Sequence, residues 1–191
     1  MEPTARQRQR QWLDRIERRA SRLHGLSENA RRVAATLDGH DRPTYPVDLV
    51  PVIERTLEDV IERTEDVSIE TDLPQRAAVR ADGLLPALVE NLVENAVVHT
   101  DGATVRIAVD EVTDDGTRRV RLTVSDDGPG IPEHEIAVLE RGEETPLEHG
   151  SGLGLWLVTW LLDRYDGEVA IDTTSGATVT ADFVPADAAS W

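Results

Sequence analysis

The sequence predicts an α/β domain: a sheet that is at least partly antiparallel, covered on one side by helices and preceded by an amphipathic helix. Three observations lead there. Apolar or β-branched residues at every second position recur at Val67, Ile69, Thr71 and Leu73; Val105, Ile107 and Val109; Val120, Leu122 and Val124; Val169 and Ile171; and Val179, Ala181 and Phe183, the period of half-buried strands. Between them, the long apolar stretches Leu84 to His99 and Leu153 to Tyr165 read as helices. Asp114-Asp115-Gly116 separates two alternating runs, a hairpin signal because the tight turn between paired strands wants residues that tolerate positive φ.

In chain order, the first element is a helix whose apolar or small positions run Leu13, Ile16, Ala20, Leu23, Ser27, Ala30, Ala34, Leu37. Steps of three and four draw one narrow stripe, with Arg and Glu on the other faces. Such a helix does not fold alone and needs a partner helix, as in a coiled coil or four-helix bundle. Gly39, Pro43 and Pro46 end it and open a linker. Asp48 then reads as the N-cap of a second helix with Val50, Ile53, Leu57 and Ile61 on one face. The expected organisation is a helical segment over 1–40, a linker over 41–47, one globular domain over 48–185 and a short tail over 186–191. No internal repeat or low-complexity tract is visible.

Composition narrows the function. Cysteine is absent, which removes disulfides, thiolate metal sites and Cys nucleophiles. No apolar run reaches the roughly 18 to 20 residues of a membrane span, and an N-terminus with Arg6, Arg8 and Arg10 but no apolar run behind them is not a signal peptide. A soluble, cytoplasmic protein is the expectation. Thirty-seven Asp and Glu oppose twenty basic residues, all of them Arg, for a formal charge of -17. That balance argues against a nucleic-acid partner, because phosphate backbones need a basic face. It also repels anionic ligands at long range, except where about 1 M salt shortens the Debye length to about 3 Å. A high-salt, halophilic cytoplasm is therefore expected, with an ordinary acidic protein as the alternative.

Chemistry concentrates in three short segments. Asn91 and Asn95 lie one turn apart on a helix whose interior disfavours Asn by several tenths of a kcal/mol. They fit a polar pocket where an amide oxygen joins Mg²⁺ and phosphate oxygens; in isolation, a solvent face shared with Glu90 and Glu94 is the preferred reading. Asp126 follows a strand and opens Asp126-Asp127-Gly128-Pro129-Gly130. Its carboxylate can accept from an exocyclic amine such as that of adenine, although the same residues also suit an ordinary acidic turn. Gly150-Ser151-Gly152-Leu153-Gly154-Leu155 opens a helix, whose first amides and positive dipole end are available to phosphate. It is neither a Walker A loop nor a dinucleotide fingerprint. Together the three describe a pocket for Mg-ATP.

In this order the segments resemble the N, G1 and G2 boxes of the histidine-kinase-type ATPases, the superfamily that also holds DNA gyrase B, the Hsp90 chaperones and MutL. The resemblance covers about 48–185, and Ser175-Gly176-Ala177-Thr178 resembles the family's final Gly box. The preceding helix, linker and Val47-Asp48-Leu49 entry resemble the second helix of a sensor kinase's dimerisation hairpin. The resemblance implies a two-layer sandwich of a mixed, largely antiparallel sheet. It implies Asn95 as Mg²⁺ ligand with Asn91 lining the same site, and Asp126 on the adenine amine with Gly128 and Gly130 shaping the loop. Gly150, Gly152 and Gly154 would let a lid over 133–149 approach the phosphates, with His99, Ile131, Ser151, Leu153, Leu155 and Thr178 also at the nucleotide.

The chain departs from that pattern at several points. Val98 stands where the family commonly has a basic residue, followed by His99, and Arg141 in the lid is the candidate replacement for the phosphate contact. Leu139-Glu140-Arg141-Gly142 stands where a Phe-rich box is usual. His24 is followed by Gly25-Leu26-Ser27 and His40 lies at the linker, so neither fits a phosphoacceptor. The expectation is a chain that begins after the first hairpin helix and does not phosphorylate itself in isolation.

The leading reading is the ATP-binding catalytic domain of a sensor histidine kinase, transferring the γ-phosphoryl group to a His on a phosphoacceptor helix or kinase partner not present here. A response regulator lies downstream, and a homodimer through 13–37 is a further implied partner. Two alternatives stand beside it. An ATP hydrolase of the same superfamily needs a Glu one turn before the Mg-binding Asn, where this chain has Asn91, with Glu90 and Glu94 out of register. A non-catalytic module would bind nucleotide or only dimerise through the stripe.

Overall fold

The computed structural model describes residues 43–64, 67–98, 104–131, 136 and 152–186. The striped helix, most of the lid, His99, Arg141, Gly150, Ser151 and the side chain of Leu153 lie outside the described residues.

The elements are β1 (Tyr45–Asp48), α1 (Leu49–Arg63), β2 (Ser68–Asp72), β3 (Ala78–Ala81), α2 (Leu85–Val98), β4 (Thr104–Asp114), β5 (Thr117–Asp126), α3 (Gly152–Arg164), β6 (Glu168–Asp172) and β7 (Ala177–Phe183). β2, β4, β5, β7 and β6 form a sheet in that spatial order. β2 runs parallel to β4, and the other neighbours are antiparallel. The sheet is therefore mixed and largely antiparallel. β4 and β5 make the expected hairpin, with Asp114 opposite Thr117 and both turn residues, Asp115 and Gly116, at positive φ.

Period-two alternation decides which face is covered. Val105, Ile107 and Val109 of β4, Val120, Leu122 and Val124 of β5, and Val179, Ala181 and Phe183 of β7 are buried, while the intervening residues are partly or fully exposed. The helices cover the buried face: α2 packs on β5, α3 on β6 and β7, and α1 against α2. This is a two-layer sandwich. The opposite face is polar, and its Arg side chains pair across strands, Arg121 with Asp182 at 2.6 and 2.7 Å and Arg106 with Glu70 at 2.9 Å.

The start of the domain differs from expectation in two ways. Tyr45, Pro46 and Val47, read as the end of a linker, pair antiparallel with β3 as a separate two-stranded sheet. These strands are too short to show an alternating signature. Asp48 does cap α1, accepting from Val50 N at 3.3 Å, and the same oxygen accepts from Ala77 N at 3.1 Å. Along α1, Val50, Ile53 and Leu57 are buried as expected, but Ile61 is 57% exposed and Val60 takes its place at 4%. A step of four from Leu57 leaves the contact face where a step of three stays on it.

Candidate functional site

α2 and α3 lie antiparallel, and the motif residues collect at one end of their contact. Asn91 is only 4% exposed. The preferred solvent-face reading is thereby overturned: α2 is covered by α1 on one flank and α3 on the other, so a residue beside exposed Glu positions can still point inward. Its Nδ2 donates to Ala87 O of the previous turn at 2.7 Å. A Cβ built on Gly154 would stand 2.9 Å from Asn91 Oδ1 and 3.4 Å from both amide atoms of Asn95. Glycine at the third position of α3 thus lets the opening turn of that helix press against both amides. Asn95 is half-buried, and among the described residues its amide makes no hydrogen bond.

This placement brings a helix N-terminus, rich in free backbone N–H groups and carrying a partial positive charge, onto two neutral amides. Such a junction suits a phosphate chain and its cation. Among the described residues no cluster of three or more His, Asp or Glu forms a cation cage. One amide oxygen is instead the kind of donor that serves Mg²⁺ when phosphates and water supply the other ligands. The donor set fits that ion.

Asp126 closes β5 on the covered face, in phase with Val120, Leu122 and Val124, at a position where the alternation calls for a core residue. It is 7% exposed. Oδ1 accepts from Gly128 N at 2.9 Å, and Oδ2 accepts no hydrogen bond among the described residues. Oδ2 therefore keeps its capacity to accept from a further donor. Asp127 turns the other way and accepts from Thr104 N at 2.9 Å, anchoring the loop to the start of β4.

Two glycines wedge this loop in place. Gly176, at φ +88, sits so close to Asp126 that an added Cβ would collide with the Asp126 carbonyl oxygen. Gly130, at φ +79, would place a Cβ 3.1 Å from Gly176 O. The β6–β7 turn therefore braces the Asp126 loop, a role for Gly176 that only the tertiary contact reveals. Ile131, the next residue, packs partly buried against the core.

Two further residues expected at the nucleotide lie in the sheet and the core. Thr178 pairs with Ser125 and Asp172 on the polar face of the sheet, since the strand alternation puts Ala177, not Thr178, beside Asp126 on the covered face. Leu155 is a core side chain, 4% exposed, which leaves its backbone for the phosphate end. A separate cavity of about 220 Å³ between α1 and α2, lined by Pro51, Val52, Arg55, Thr56, Pro86 and Glu90 among others, includes none of the motif residues.

A mixed sheet roofed by helices, with a strand-end carboxylate and a glycine-opened helix N-terminus on the covered side, defines an α/β nucleotide-binding domain. The chain belongs to the histidine kinase-, DNA gyrase B- and HSP90-like ATPase family, whose model matches residues 82–188. It is 33% identical over 129 residues to the two-component sensor PhoQ of Pseudomonas aeruginosa, covering 65% of this chain and 28% of that one. With the sensor histidine kinase TrcS of Mycobacterium tuberculosis, identity is 31% over 176 residues, 87% of this chain and 35% of the relative. The solved structure of the mycobacterial sensor histidine kinase MprB matches with a TM-score of 0.62 and 28% identity, covering 74% of this chain and 97% of that one. The chain spans about a third of the length of these curated relatives. Its ATPase domain is that of the sensor histidine kinases.

Proposed function

We propose that this domain binds Mg-ATP and delivers the γ-phosphoryl group to a histidine on a helix of another segment or chain. The observation that carries the reading is the approach of Gly154 to both Asn91 and Asn95, which puts a helix N-terminus beside the amide pair. Asn95 is the Mg²⁺ ligand, and Asn91, tied to Ala87 O, lines the site behind it. Asp126 Oδ2 accepts from the adenine amine, while Gly128 and Gly130 shape the loop around the base. Amides at Gly150, Ser151, Gly152 and Gly154 meet the phosphates, and Arg141 approaches from the lid.

When bound, the cation supplies charge neutralisation for the phosphate chain. The residues of this chain hold the nucleotide and orient it, which is most of what phosphoryl transfer requires. The imidazole nitrogen forms the new N–P bond as the bond to the β-phosphate oxygen breaks, ADP leaves, and the imidazole proton passes to solvent. No general base in this domain is needed. With Asn91 standing where a hydrolytic branch would carry a Glu, hydrolysis is slow or absent. A response regulator as the downstream acceptor, pairing of the helix over 13–37, and a saline cytoplasm complete the proposal; the acidic composition supports the last. Among the described residues no helix is long and apolar enough to cross a membrane.

The test is a calorimetric titration of a nonhydrolysable ATP analogue with Mg²⁺, in high salt, against wild type and Asp126→Asn. A charge-assisted hydrogen bond of about 1.5 to 3 kcal/mol predicts an affinity loss of roughly 10- to 150-fold. Equal affinity for both proteins removes Asp126 from the adenine role.

A further inference from the structure

At the end of the α2–α3 contact opposite the amide pair, a buried carboxylate gathers three donors. Asp82, 4% exposed, lies between β3 and α2. Its Oδ1 accepts from Leu84 N at 2.9 Å and from Tyr165 Oη at 2.5 Å, and its Oδ2 accepts from Arg164 Nη2 at 3.1 Å. Arg164 ends α3 and Tyr165 follows it, itself 1% exposed. One side chain therefore fastens the entry of α2 to the exit of α3.

Ten residues separate Gly154 from Arg164 along α3, roughly 15 Å of helix at 1.5 Å per residue. A helix is stiff along its axis, so where its far end is fastened decides where its first turn stands. That first turn has little tolerance, because a single added Cβ on Gly154 would come within 2.9 Å of Asn91 Oδ1 and 3.4 Å of the Asn95 amide. Apolar packing between the two helices contributes to this register without directionality, since ridges and grooves set the crossing only to within a range of angles. Directional bonds to one buried carboxylate narrow that range.

We propose that Asp82, Arg164 and Tyr165 are positioning residues for the nucleotide site, acting through α3 to hold Gly154 against Asn91 and Asn95. The inference rests on the Mg-ATP reading above. Replacement of such a buried ionic cluster by well-packed apolar groups is often neutral for stability, so an alternative without directional bonds was open to this fold.

The experiment is a double-mutant cycle on Mg-ATP-analogue affinity with Tyr165→Phe, Gly154→Ala and the double variant. Tyr165→Phe keeps the ring and the Arg164–Asp82 pair, and so keeps the fold. A Val60→Ala core variant in α1 serves as control for general loss of stability, measured well below its unfolding midpoint. The expected result is a roughly tenfold loss for Tyr165→Phe, equivalent to about 1.4 kcal/mol. No loss is expected for Val60→Ala, and the double variant should bind within about twofold of the weaker single one, where independent sites would multiply. Unchanged affinity in Tyr165→Phe, multiplicative losses, or an equal loss in Val60→Ala overturns the positioning role while leaving the nucleotide site intact. Absence of binding by folded wild type overturns the nucleotide reading and this inference with it.

Discussion

The two ends of the α2–α3 contact use opposite chemistry. At one end Asp82 is buried, charged and fully engaged, with an Arg side chain, a Tyr hydroxyl and a backbone amide donating to it. At the other, Asn95 has no hydrogen bond among the described residues, and Asp126 on the sheet accepts from one donor among them, Gly128 N. A carboxylate with three donors is fixed in place, whereas one with a single donor keeps capacity to accept another. Polarity and burial alone do not separate the two, since Asp82, Asn91 and Asp126 are all less than a tenth exposed. The number of donors to each carboxylate does, three to Asp82 against one to Asp126 among the described residues.

Removing charge from each end is the harshest way to test that contrast. Asp82→Ala removes the buried carboxylate that accepts from Arg164, whose side chain is 11% exposed, from Tyr165 and from Leu84 N. The expected loss is about 3 to 5 kcal/mol of unfolding free energy, read by urea denaturation. Asp126→Asn should change stability by less than about 1 kcal/mol, because the amide oxygen can still accept from Gly128 N, while nucleotide affinity falls as given above. If Asp126→Asn destabilises as much as Asp82→Ala, the distinction between holding and binding ends fails.

Gly154→Ala sharpens the comparison at the site end. The added methyl must displace Asn91, which is buried and tied to Ala87 O. A destabilisation of about 1 to 3 kcal/mol is expected from overpacking, together with weakened Mg-ATP binding by calorimetry. Stability lost with full affinity retained would show that the opening turn of α3 does not serve the phosphates.

The holding end should also respond to alkali. Burial, and then the hydrogen bond to Asp82, push the Tyr165 phenol well above its usual range. The native state therefore keeps the proton at a pH where the unfolded chain releases it. The contribution is present in full below pH of about 10 and is lost as pH rises beyond it, with a slope approaching about 1.4 kcal/mol per pH unit. Denaturation at pH 9, 10 and 11 should show that slope in wild type and its removal in Tyr165→Phe. A slope that persists in the variant assigns the alkaline sensitivity to another group.

The smallest effect belongs to the polar face of the sheet. Arg121 makes a two-pronged pair with Asp182, but at 32% side-chain exposure solvent screens it. Arg121→Ala should lower stability by about 1 kcal/mol or less and leave nucleotide affinity unchanged.

Much of this was legible in the residue order. Apolar alternation in β4, β5 and β7 and the Asp115-Gly116 turn marked the sheet, because strand burial and turn geometry are local properties. Asn91, Asn95, Asp126 and the glycines of α3 stood out because each breaks the pattern of its own element. β1 and β3 did not stand out, since four-residue strands carry almost no periodic signal. Ile61 was misplaced for a related reason: which residue of a stripe faces the core depends on a neighbour that adjacent residues do not reveal.

The sequence by itself determined the kinds of element, the family and the chemical groups the site would use, because these follow from local periodicity and from residue types that only certain chemistry needs. Only the tertiary structure decided that Gly154 meets both amides, that Gly176 braces Asp126, and that Asp82 joins Arg164 and Tyr165 across more than eighty residues. Those are contacts between segments distant along the chain, and their energies depend on burial and geometry that exist only once the layers have packed.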